Sequence, residues 1–93
     1  MVIGTLKIKL HAPWAHSLKE KRMVVKSLAA KTGNKFNVSI AEVEEQDIHQ
    51  TIVLGVACVT NDGSVADSIL DNVLNFMERN TEAEIVQVER EIL

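Results

Sequence analysis

The stretch Thr51–Thr60 limits the folds open to this chain more than any other. Ile52, Leu54, Val56 and Cys58 alternate onto one face of a strand, while Val53, Gly55, Ala57 and Val59 fill the other. A half-exposed strand would carry polar residues on its second face, so apolar residues on both faces predict a central strand. The remaining segments supply its neighbours. Val2–His11 alternates, with Val2, Gly4, Leu6, Ile8 and Leu10 on one side and Thr5, Lys7, Lys9 and His11 on the other. That period reads as a half-buried strand, broken at Pro13.

A helix is expected to open at Ser17. Ser17-Leu18-Lys19-Glu20 has the form of a capping box, in which the hydroxyl accepts from the Glu20 amide and the Glu20 side chain reaches back. Leu18, Val24, Val25, Leu28 and Ala29 form its apolar face, and Gly33-Asn34 supplies a stop signal. Phe36, Val38 and Ile40 predict a second strand, closed by a polar turn at Glu44-Glu45-Gln46-Asp47. After the Asn61-Asp62-Gly63 turn, Ser64 is expected to cap a second helix with Asp67 at N3 and with Val65, Ile69, Leu70, Val73, Phe76 and Met77 inward, ending at Asn80. Glu84–Glu91 reads as a last strand with Val86 and Val88 inward.

The resulting order is βαββαβ, an α+β ferredoxin-like split βαβ sandwich occupying residues 1–93 as one domain. Right-handed crossovers put both helices on one face of a four-stranded antiparallel sheet of spatial order 4-1-3-2, which places the third strand centrally. The longest apolar run, Ile52–Val59, is too short to cross a bilayer, so no membrane association is expected. No signal-peptide pattern is present at the N-terminus, and the single cysteine, Cys58, cannot form an internal disulfide. A cytoplasmic setting is the expectation that follows.

Charge is sorted along the chain. Residues 1–38 carry a formal +7 and residues 39–93 a formal −10, which the net −3 conceals. Such a field can orient polyanions or a second copy of the protein. Lys19, Lys21, Arg22 and Lys26 in the first helix are the candidate RNA-binding residues, because Lys and Arg release condensed counterions on phosphate contact. A solvated helix face is the plainer reading of the same residues. Lys21, near the apolar stripe, has the option of snorkelling instead.

From Ser17-Leu18-Lys19-Glu20-Lys21-Arg22 onward the chain resembles the YlxP-like family, small bacterial proteins classed as a domain of unknown function. Matching stretches include His11-Ala12-Pro13, Phe36–Val43, Gln46-Asp47, Leu54–Ala57 and Val88–Leu93. The resemblance implies a ferredoxin-like fold. It also implies a link to translation, since genes of the family sit among those for translation initiation and ribosome maturation in many bacteria. It supplies no reaction and no catalytic residues.

Other functional classes have less behind them. RRM domains share the βαββαβ order and stack bases on outward aromatics of their central strands, but Thr5, Lys7, Lys9, Val53, Gly55, Ala57 and Val59 include none. Acylphosphatases share the fold too, yet their phosphate-cradling loop with its arginine has no counterpart. The apolar outer positions Val53, Ala57 and Val59, with the loop aromatic Trp14, are candidate partner-binding residues, and a homodimer through the sheet face or an edge strand is expected. One end of the fold should gather His11, Trp14 and His16 with Glu42, Glu44, Glu45, Asp47 and His49. Two imidazoles and a carboxylate there raise a third reading, a small-molecule or metal site, although no compact ligand motif is present. Cys58 shares a face with Leu54 and Val56 and reads as a core hydrophobe. The expectation is therefore a protein without catalysis, cofactor or resident metal, docking on ribosomal or other structured RNA. The alternative is a protein-binding or self-associating module.

Overall fold

The computed structural model describes residues 1–93. It contains β1 (Val2–His11), α1 (Leu18–Lys35), β2 (Ser39–Glu44), β3 (Thr51–Thr60), α2 (Gly63–Arg79) and β4 (Glu84–Ile92). All sheet pairs are antiparallel and the strand order is β2-β3-β1-β4. This is the ferredoxin-like arrangement that the alternation predicts, with β3 inside the sheet.

The inner sheet face carries Leu6, Ile8 and Leu10 from β1 and Ile52, Leu54, Val56 and Cys58 from β3. Ala66, Leu70, Val73 and Met77 of α2 pack on them, and Leu28 joins from α1. Burial of this apolar surface is the main stabilising term. At Gly4 the helix comes so close that an added Cβ would lie 3.1 Å from Cys58 Sγ and 3.2 Å from Ala66 Cβ, so glycine is what lets α2 sit down on the sheet. No helix is long and apolar enough to cross a membrane.

Several element boundaries differ from the sequence expectation, each for a local reason. Helix α1 runs through Gly33 and Asn34, because Gly33 keeps a negative φ and never adopts the left-handed cap. The helix ends where Phe36 turns extended, with its amide donating to Thr32 O at 2.9 Å. That turn brings its ring edge-on to Phe76, with centroids 5.5 Å apart. Phe36 and Val38 therefore precede β2, although both still pack against the core. Helix α2 is capped by Asp62 and not by Ser64: Asp62 Oδ1 accepts from the Ser64 amide at 2.8 Å and from its hydroxyl at 2.7 Å.

Two bulges re-aim side chains. In β4 the register shifts at Lys9/Leu10, so Ile85 opposes Leu10 and Gln87 opposes Lys9. Val86 is the extra residue and is exposed, and Ile85 takes the inward role expected of it. Val88 opposes Ile8 but remains 39% exposed on this edge strand. In β2 the shift falls between Glu42 and Glu44. The extra residue, Val43, lies over Gly55, where an added Cβ would meet Val43 Cγ1 at 2.9 Å.

Candidate functional site

Helix α1 presents a cationic face. Ser17 fixes its start: the hydroxyl accepts from the Glu20 amide at 3.1 Å, and the Glu20 carboxylate reaches back to the His16 amide at 3.3 Å. Glu20 is thus committed to the helix start. Lys19, Arg22 and Lys26 lie at i, i+3 and i+7 on the solvent side, all exposed and all without an ion-pair partner.

Lys21 is a correction to the predicted set. It is fully buried, facing the same way as Leu28 and Thr32. Its ammonium donates to Glu45 O and Ile48 O, both at 2.6 Å, and lies 2.8 Å from Glu42 Oε2. Two hydrogen bonds and one ion pair thus commit the buried ammonium to the β2–β3 hairpin, out of reach of a phosphate. Glu45, held there, has φ 54, a left-handed backbone that this anchoring stabilises.

The other cations in ion pairs sit on the sheet. Lys7 pairs with Glu44 and, at 3.7 Å, with Glu89 across the ladder. Its hydrogen bond to Glu44 raises the ammonium above its ordinary pKa. Arg90 joins β4 to α2, with Nη2 2.6 Å from Asp71 Oδ1 and Nη1 3.2 Å from Asp67 Oδ1. Asp71 first, then Asp67, hold that guanidinium above its ordinary pKa.

The partner-binding candidates separate. Val59 is 65% exposed and Trp14 41% exposed, whereas Ala57 is half-buried. Val53 is a correction, because only 3% of it is accessible. It faces outward as the alternation requires, but it lies at a small cleft among Lys7, Lys9, Glu44 and Gln87 and is paired with Lys9 and Glu44 on its two sides. Along the same sheet face runs an open groove of about 680 Å³ floored by Ser39, Ala41, Gly55 and Ala57.

The end of the fold containing His11 does not assemble a metal site. No group of three or more His, Cys, Asp or Glu side chains is placed to hold an ion, and His16, Asp47 and His49 point into solvent. What that end does bring together is a smaller groove of about 350 Å³. Trp14, Met23, Val24 and Leu28 line it on one side and Asn80 and Glu82 on the other. Asn80 is oriented by its amide, which donates to Phe76 O at 2.8 Å. The Trp14 loop is tied to the hairpin by Ala12 N–H to Gln50 O at 2.9 Å and by Gln50 Nε2 to Pro13 O at 3.1 Å. The sequence reading missed Met23, Asn80 and Glu82. The one available signal was Met23, a large apolar residue off the helix's buried face.

The whole arrangement is similar to two designed proteins. The de novo designed protein Foldit4 superposes with TM-score 0.53 at 10% identity, covering 99% of this chain and 94% of the design. The solution structure of the de novo designed protein LFR1 1 with ferredoxin fold gives TM-score 0.57 at 16% identity, covering 99% and 85%. These likenesses show the fold alone. In sequence, a Bacillus subtilis (strain 168) protein named "Uncharacterized protein YlxP" is 41% identical over 70 residues, which is 75% of this chain and 76% of that protein. A family model described as "Protein of unknown function (DUF503)" matches residues 3–90, and the chain therefore belongs to the DUF503 family, whose function is unknown.

Proposed function

We propose that this protein is a non-catalytic accessory factor of the cytoplasm that docks on structured RNA, with the ribosome as the leading target, through the exposed face of α1. One observation carries the reading. Lys7, Lys21 and Arg90 are held in ion pairs, while Lys19, Arg22, Lys26, Lys31 and Lys35 of α1 are exposed and unpaired. Cations that only solubilise a surface are normally interspersed with acids. Here Glu20 is the only acid in the helix, and it is engaged at the helix start. The acidic remainder of the molecule repels phosphate and so orients the encounter.

The test is binding to purified ribosomal subunits and to deproteinised ribosomal RNA across a salt series. Saturable binding that weakens with salt is expected. The K19E/R22E/K26E variant should lose it, with the salt slope of the wild type exceeding that of single variants by about one unit per cation. Unchanged affinity in the triple variant would sink the proposal.

A second reading, self-association through the outer sheet face, draws on the groove over Gly55 and Ala57 and on the exposed Val43 and Val59 beside it. Sedimentation equilibrium should then give a dimer that Val59→Asp dissociates. A monomer at tens of micromolar would remove it.

A further inference from the structure

We infer that the groove beside Trp14 holds an unpaired nucleobase of a single-stranded RNA segment whose phosphates run along Lys19, Arg22 and Lys26. The inference rests on the proposed function and names the form of RNA that the same face takes.

Four observations converge on it. First, Trp14 is the exposed aromatic of the chain, since Phe36 and Phe76 are engaged with each other. The sheet, where an RRM would stack its bases, has no aromatic to offer. Second, the groove is continuous with the cations. Met23, 64% exposed, is four residues from Lys19 and three from Lys26, so all three share one flank of α1. Third, the size suits a small ring system: about 350 Å³ lies near the lower end of ligand-pocket volumes, roughly 300 Å³.

The fourth observation is charge. Glu20 and Glu82 stand at the groove, and Lys19, Arg22 and Lys26 stand beside it. The carboxylates keep a phosphate out of the groove, and the neighbouring cations hold phosphates next to it. An uncharged flat ring on an anionic chain meets both conditions. Glu82, which can only accept hydrogen bonds when ionised, and Asn80 line the groove as polar residues within it, although the Asn80 amide nitrogen already donates to Phe76 O. Duplex RNA keeps its bases stacked inside and has no ring to give, so the groove discriminates single strands from duplex.

Trp14 is the sole tryptophan, so its emission reports on the groove directly. The experiment titrates the full chain with a mixed-sequence single-stranded RNA oligonucleotide and, separately, with a blunt RNA duplex. The single strand should quench Trp14 emission saturably and the duplex should not. By anisotropy of labelled RNA, Trp14→Ala should weaken single-strand binding about five- to 150-fold, the range that loss of one stacked base implies, and leave duplex binding unchanged. Trp14→Phe, which keeps a ring, should restore most of the loss, and urea unfolding of both variants confirms that they fold. Equal affinity of wild type and Trp14→Ala for the single strand, without quenching, overturns the groove inference. If K19E/R22E/K26E still weakens both RNAs in that case, the proposed function stands. Failure of both RNAs to bind at low salt overturns both proposals and leaves the groove to a protein partner.

Discussion

At position 21 an ammonium group lies beneath the hairpin with three acceptors around it, and its side chain is only 1% exposed. Removing one member of a buried pair strands the other, which typically costs about 3–5 kcal/mol. Lys21→Ala should therefore lower unfolding free energy by about 3 kcal/mol and loosen Glu45–Ile48 in hydrogen exchange. Glu42→Gln should cost less, about 1 kcal/mol, because both carbonyl acceptors of Lys21 remain. A Lys21→Ala variant as stable as wild type in urea would refute the role. This burial was partly legible beforehand, since Lys21 is seven residues from Leu28 and so shares its helix face. What could not be read was where Glu42 and the two carbonyls would be. Val53 repeats the point on the other side of the sheet: alternation placed it outward, but the residues that surround it belong to three other strands.

The helix ends behave as local chemistry and carry their own pH dependence. Asp62 accepts from the Ser64 hydroxyl and amide, and these bonds hold its carboxyl below the ordinary value of about 3.9. A carboxyl that titrates lower when folded than when unfolded stabilises the fold fully above the unfolded value, and that contribution is lost as pH falls through the folded one. Asp62→Asn keeps a capping acceptor but cannot titrate. The wild type should thus exceed this variant in stability at neutral pH, with the gap closing below about pH 4. A gap that stays constant from pH 7 to pH 2 would contradict the assignment. At this scale the sequence was legible for element type and order, and for the Ser17 and Asn80 boundaries. It was less so for Gly33, whose stop signal was overridden because the Phe36–Phe76 contact lies further along. The bulges at Val43 and Val86 were not visible either, because a bulge is a property of two paired strands and each alternation was read alone.

For the whole molecule, the charge sorting seen along the chain becomes spatial in an uneven way. The acids of α2 draw in Arg90, Glu44 of β2 and Glu89 of β4 draw in Lys7, Glu42 of β2 draws in Lys21, and the exposed face of α1 is left without counter-charge. Binding and folding are then separable. The K19E/R22E/K26E variant that should lose RNA should also unfold within about 0.5 kcal/mol of wild type, since surface positions without partners contribute little. A large loss of stability would mean that these side chains have structural work after all. The sequence by itself determined the βαββαβ order, the central place of β3, the core residues of β1 and β3, Leu70, Val73 and Met77 of α2, and the cationic character of α1, because each follows from local periodicity or local composition. It did not determine Ala66, which is buried where Val65 was expected, while Val65 is exposed. Only the tertiary structure decided which cations stay free, that Lys21 and Val53 are covered, that His11, His16 and Asp47 do not converge, and that Trp14 shares a groove with Met23, Asn80 and Glu82. Each of those outcomes depends on distances between segments that are remote along the chain, and those distances are set by how the helices dock and where the strands bulge.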